Sequence, residues 1–139
     1  ETKKKPIDLY INSVGGEVYA LIDIITTLES IKCPIRTFTT GLSASCGSVL
    51  FNAASPGQRY MGRLARQMAH QPSSGTKGTI TDQEIAMEES KRIKQIMIDY
   101  YHERNTAKKS RDEIAQMLER DKWMNAQESI DAGFADHII

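Results

Sequence analysis

Residues 43–48 read Ser-Ala-Ser-Cys-Gly-Ser, a cluster of small and hydroxyl-bearing side chains between a β-like stretch and the apolar run Val49-Leu50-Phe51. Placed where a strand turns into a helix, such residues sit beside N–H groups that have no intrahelical partner and carry partial positive charge. A hydroxyl there has donors at hand for an oxyanion, which is what acyl transfer requires. Serine also needs a neighbouring base, and the base needs an orienting carboxylate. His70, at the end of the strand-like stretch 65–70, is the natural base. Six aspartates could orient it: Asp82, Asp99, Asp112, Asp121, Asp131 and Asp136. Spacing does not choose among Ser43, Ser45 and Ser48, because none lies in a strict G-x-S-x-G. Cys46 is a rival nucleophile, with only the helix terminus to favour its thiolate. The plainer reading is that these serines pack closely or cap a helix, and that His70 is a hydrogen-bonded structural residue.

Other chemistries find less support. Gly15-Gly16-Glu17 lacks the Lys-Ser/Thr of a phosphate-binding loop and is not a G-x-G-x-x-G fingerprint. His70, His102 and His137 are scattered, with no H-x-x-x-H or C-x-x-C partner, so no metal site is expected. Cys33 and Cys46 make neither a metal set nor a dense disulfide framework, which fits a reducing, cytosol-like compartment. Lysine plus arginine and aspartate plus glutamate both number 18, and a net charge of zero argues against a nucleic-acid or anionic-membrane surface. No apolar run approaches the ~18 residues of a membrane span, and the opening Glu1-Thr2-Lys3-Lys4-Lys5-Pro6 has no signal-like apolar stretch behind it.

The elements that must position these residues are those of one α/β domain spanning 1–139. Residues 7–11 alternate and are rich in β formers, so they predict a strand. A Gly-Gly turn follows, then a helix with Val18, Leu21, Ile22, Ile25 and Leu28 at helical spacing, stopped by Cys33-Pro34. Residues 35–40 predict a second strand, and strand, crossover helix and parallel strand make a βαβ unit. Short strands are expected around residues 59–61 and 65–70, before a polar stretch at 71–80. Thr81 and Glu84 have capping-box spacing and predict a long helix to about Arg104. Its inner face is expected at Ile85, Ile93, Ile96, Met97 and Tyr100, with Glu88 and Arg92 paired outside. Ser110 with Glu113 and Asn125 with Glu128 predict two shorter helices, the first carrying Ile114, Met117 and Leu118. Gly133 stops the second, before a short strand over 134–139.

Four segments then resemble, in order, the motifs of the proteolytic-subunit family of the Clp protease (ClpP). They are Tyr10-Ile11-Asn12-Ser13-Val14-Gly15-Gly16, Gly41-Leu42-Ser43-Ala44-Ser45-Cys46-Gly47, Met68-Ala69-His70-Gln71-Pro72 and Glu119-Arg120-Asp121-Lys122-Trp123-Met124. The resemblance covers nearly the whole chain. It implies Ser45 as nucleophile, His70 as general base and Asp121 as orienting acid. It also implies oxyanion donors at the amides of Gly16 and Cys46, and a substrate strand added along the segment from Gly15 to Val18.

The fold so implied is α/β and crotonase-like, a series of βαβ units with a protruding handle helix. The chain begins almost at the Gly-Gly strand, so the N-terminal part of that fold, with its axial loops, is expected to be missing. The resemblance further implies self-association into seven-membered rings stacked as a tetradecamer, interlocked through residues 71–81 and the helix that follows. Glu119 and Arg120 match positions that bridge the rings. The implied activity is that of a self-compartmentalising serine endopeptidase, cleaving unfolded polypeptides and short peptides through an acyl-enzyme. An AAA+ unfoldase such as ClpX, ClpA or ClpC would feed it and use the ATP, so the chain itself needs no cofactor. The compartment implied is the cytoplasm, or an organellar matrix or stroma. Val14 stands where proline is common, Cys46 where methionine is usual and Ser43 where alanine is usual. Alternatives are a non-catalytic subunit of a mixed ring and a crotonase-fold acyl-CoA enzyme; the second has no need of Ser45, His70 and Asp121 together.

Overall fold

The computed structural model describes residues 4–139, so part of the basic opening segment lies outside it. The first strand β1 (Ile7–Tyr10) leads through the Gly-Gly turn into α1 (Val18–Ser30), which returns the chain to β2 (Ile35–Thr39). β1 and β2 pair in parallel, with Ile7 opposite Ile35 and Tyr10 opposite Phe38. β4 (Arg59–Met61) pairs in parallel with β2, and β7 (His137–Ile138) with β4, giving a four-stranded sheet in the order β1-β2-β4-β7. Parallel neighbours cannot be joined by hairpins, so a helical crossover between them is obligatory.

A second sheet ends beside Ser45, His70 and Asp121. β3 (Leu42–Ala44) and β5 (Arg66–Ala69) pair in parallel, and β6 (Lys122–Met124) joins β5 antiparallel, in the order β3-β5-β6. The 43–48 cluster is therefore not wholly a helix start. Ser43 and Ala44 end a strand, and α2 (Cys46–Phe51) begins immediately after Ser45. The strand β6 has no counterpart in the sequence reading, because three residues with one buried side chain show no alternation to detect.

The remaining helices are α3 (Ile80–Arg104), α4 (Arg111–Met117) and α5 (Ala126–Asp131). The capping boxes Ser110/Glu113 and Asn125/Glu128 are present as expected. The box of α3 is built from Thr79 and Asp82 instead of Thr81 and Glu84, two residues earlier. The buried face of α3 is also displaced. Ile93 and Met97 are buried as expected, but Ile98 and Tyr101 join them, whereas Ile85 and Ile96 are exposed. On the outer face, Lys91 pairs with Glu88 and Arg92 with Glu89, so the expected Glu88–Arg92 pair does not form.

The larger core cluster joins Leu21 and Ile25 of α1, Val49 of α2 and Met97, Ile98 and Tyr101 of α3 to Ile114, Leu118 and Phe134. A smaller one holds Ile11, Phe51, Met61, Ala65, Ala126 and Ala135. Thr37 and Thr39 of β2 point into this interior, and their hydroxyls donate to the carbonyls of Phe51 and Ile11 at 2.7 and 3.0 Å. Those bonds remove the penalty of burying the hydroxyls. The guanidinium of Arg59 is 4% exposed and is saturated by Asp136, Asn52, Thr106 and the carbonyl of Gly133. This network fastens the end of the chain to the centre of the first sheet.

Candidate active site

Ser45 occupies the one-residue junction between β3 and α2, at φ 55° and ψ −124°. Positive φ is costly for a residue with a Cβ, and it persists only where surrounding contacts enforce it. Here the Ser45 amide donates to the Met68 carbonyl at 2.9 Å, while its own carbonyl accepts from Ser48 and Val49 in the first turn of α2. The sharp turn pushes the hydroxyl out of the strand and over the helix terminus, the geometry of a strained nucleophile elbow.

The three serines left open by spacing now separate. Ser43 and Ser48 are fully buried. Ser48 Oγ accepts from the Gln67 amide and the Tyr101 hydroxyl, both at 2.9 Å, which makes it a packing residue. Ser45 Oγ alone of the three meets an imidazole, lying 2.8 Å from His70 Nε2. His70 Nδ1 in turn lies 3.1 Å from Asp121 Oδ1. With its proton on Nδ1, facing the carboxylate, the ring leaves Nε2 free to accept from the serine hydroxyl.

The other candidate carboxylates are occupied or remote. Asp82 caps α3, Asp99 pairs with Arg111, Asp131 accepts from Gln127 and Asp136 is bound by Arg59. Asp112 lies in the first turn of α4. The site is half-open: the side chain of His70 is 21% exposed and that of Asp121 is 62% exposed, so a polypeptide could reach both.

Gly15 and Gly16 serve different purposes. Gly15 has φ 104°, and a Cβ there would lie 2.6 Å from Ser45 Cβ and 3.0 Å from the Ala44 carbonyl oxygen. Only glycine lets the turn close onto Ser45. Gly16 has open space around it, and its N–H, like that of Cys46, donates to no described residue. Ser13 bridges to Ser43 in parallel, which lays the turn alongside β3. The Cys46 thiol donates to the Gly16 carbonyl at 3.3 Å, and burial pushes the thiol pKa above its ordinary value. A thiol held in its neutral form is a poor rival to Ser45.

Glu119 and Arg120 both lie exposed on the surface beside Asp121. Glu119 Oε2 is 3.0 Å from Lys94 Nζ of α3, and that hydrogen bond holds the Glu119 carboxyl below its ordinary range. Among the described residues no group of three or more His, Cys, Asp or Glu is placed to hold a metal ion, and no helix is long and apolar enough to cross a membrane.

A hydroxyl, an imidazole and a carboxylate in line are the arrangement that serine hydrolases of several kinds use. The family model of the Clp protease matches residues 1–139, the whole chain. The ATP-dependent Clp protease proteolytic subunit 2 of Rhodococcus jostii (strain RHA1) is 37% identical over 139 residues, 100% of this chain and 70% of that protein. The protein of the same name from Nocardia farcinica (strain IFM 10152) is 39% identical over 139 residues, 100% of this chain and 68% of its own length. The chain belongs to the Clp protease family.

Proposed function

We propose that this chain is the proteolytic subunit of a self-compartmentalising protease, cleaving peptide bonds with Ser45 as nucleophile, His70 as general base and Asp121 as orienting acid. The observation that carries the reading is the 2.8 Å approach of Ser45 Oγ to His70 Nε2, backed by Asp121 at 3.1 Å. A substrate carbonyl over Ser45 is attacked by Oγ while the hydroxyl proton passes to Nε2. The resulting oxyanion accepts from the N–H groups of Gly16 and Cys46. Asp121 stabilises the imidazolium, which then protonates the departing amine and leaves an acyl-enzyme on Ser45. Water, deprotonated by the same imidazole, releases the carboxylate product and restores the hydroxyl. The chemistry asks for no metal or organic cofactor. An extended substrate would add as a strand beside the Gly15 to Val18 segment, with its backbone close to the open face of Gly16.

The assembly that fits this chemistry is a pair of seven-membered rings enclosing the sites, supplied with unfolded chains by an AAA+ unfoldase in the bacterial cytoplasm. Ile80 and Met87 are exposed on one face of the first half of α3 and Ile85 on another, apolar surface suited to contact between rings. Glu119 and Arg120 would lie at such a contact beside the acid. Nucleic acid and lipid have no part in it.

Hydrolysis of a fluorogenic short peptide tests the reading. The purified protein should cleave it, and Ser45→Ala should abolish cleavage while circular dichroism stays unchanged. A protein that binds peptide without cleaving it would instead be a non-catalytic ring subunit. Undiminished cleavage by Ser45→Ala would remove Ser45 from its role.

A further inference from the structure

The acid of this site is held in an unusual way for an orienting group. Asp121 is largely exposed, and among the described residues its carboxylate makes no hydrogen bond except to His70. Burial and direct donors therefore do little to fix it. What limits its position is the path of the backbone over residues 118–121, just before β6 begins at Lys122.

Gln71, the covalent neighbour of the base, grips that path at two carbonyls. The Gln71 main-chain N–H donates to the Leu118 carbonyl at 2.7 Å. Its side-chain Nε2 donates to the Glu119 carbonyl at 2.9 Å. Leu118 is itself fully buried in the larger core cluster, so the first of these bonds is tied to a rigid point. From the other side, Lys94 of α3 holds the Glu119 carboxylate. The contacts close a ring that runs from His70 through Gln71 to Glu119, along the chain to Asp121, and back across 3.1 Å to His70. A closed ring of short links fixes the His70–Asp121 distance more tightly than either strand end could alone.

We propose that Gln71 is a positioning residue of the triad, setting the approach of Asp121 to His70 through the Leu118 and Glu119 carbonyls. This rests on the triad reading above. Gln71 touches no reacting atom in this role. It acts through the acid in the way that groups behind a metal-ligating side chain orient it, where their loss costs about 10- to 100-fold.

Gln71→Met keeps the side-chain length and the main-chain N–H but deletes the Nε2 donor. The expected result is a fall in kcat for a fluorogenic peptide of about tenfold with KM within twofold, since misplacement of a catalytic group acts on the chemical step. The rate of fluorophosphonate labelling should fall in parallel. In an Asp121→Ala background the same substitution should change the labelling rate by less than about twofold, because coupled residues do not add. A low-field imidazole N–H resonance, the signature of the His70–Asp121 bond, should shift or broaden in Gln71→Met. Equal losses in the two backgrounds, or a raised KM with kcat unchanged, would overturn the proposal. Should Gln71→Met fail to fold, Lys94→Met tests the same ring from its other side. A smaller loss of kcat that vanishes in the Asp121→Ala background supports it, and an unchanged kcat overturns it. Ser45→Ala run in parallel keeps the two readings apart: labelling that survives there sinks the triad itself, whereas additive losses sink only the role of Gln71.

Discussion

His70 faces Asp121 across the β5–β6 ladder, one step beyond its last pair. The antiparallel register sets Met68 against Trp123 and Ala69 against Lys122, so the next opposed positions are 70 and 121. His70 and Asp121, 51 residues apart in sequence, are thus brought together by strand pairing rather than by a loop that happens to pass nearby. Because Asp121 is exposed, its carboxylate can be neutralised without disturbing the core. Asp121→Asn should lower kcat by roughly 10³–10⁴, the cost of the wrong tautomer on the base. Thermal unfolding should stay close to that of the parent protein, and steady-state kinetics alongside a melting curve checks both.

Gly15 and Gly16 should respond differently to one methyl group. At Gly15 an added Cβ meets Ser45 Cβ at 2.6 Å and forces a side chain onto φ 104°. Gly15→Ala should cost at least about 1–2 kcal/mol from the backbone alone and abolish cleavage, because the turn must lift off Ser45. Gly16→Ala meets no atom within 4 Å and should fold with undiminished stability. Any loss of activity in that variant reports the approach of substrate. Chemical denaturation of the two proteins distinguishes them.

Asp136 offers a test in pH. Burial would raise its pKa, but the hydrogen bonds and charge of Arg59 outweigh burial and hold it below the ordinary carboxylate value. A depressed folded-state pKa gives stability that is present above an unfolded value of roughly 4 and is lost as pH falls through the folded one. Removing one partner of a buried pair leaves the other charge uncompensated, so Asp136→Asn should destabilise by about 3–5 kcal/mol at neutral pH. Its stability should also depend less on pH below 4. Urea unfolding at pH 7 and at pH 3 measures both effects.

Much of this was legible in the residues because it depends on local signals. The β1-α1-β2 unit, the Ser110/Glu113 and Asn125/Glu128 caps and the end of α3 at Arg104 follow from periodicity and capping chemistry acting over a few positions. The serine cluster pointed to a strand-to-helix junction, but it could not separate Ser45 from Ser43 and Ser48. That choice depends on which hydroxyl the positive-φ turn ejects, and on Gln67 and Tyr101 claiming Ser48 from elsewhere in the chain. The buried face of α3 shifted from Ile85 and Ile96 to Ile98 and Tyr101 for a similar reason. Every third or fourth residue of a long helix can be apolar, and only the position of α2 and α4 decides which stripe is covered. The grip of Gln71 on residues 118 and 119 left no mark at all, since it consists of bonds to main-chain carbonyls.

Activation of Ser45 as a nucleophile is read out by the mass of the intact protein after treatment with a fluorophosphonate, followed by peptide mapping. One adduct per chain is expected, located on Ser45, absent from Ser45→Ala and formed far more slowly in His70→Ala. An adduct mapped to Ser43 or Ser48, or labelling of Ser45 at the same rate without the His70 imidazole, would contradict it.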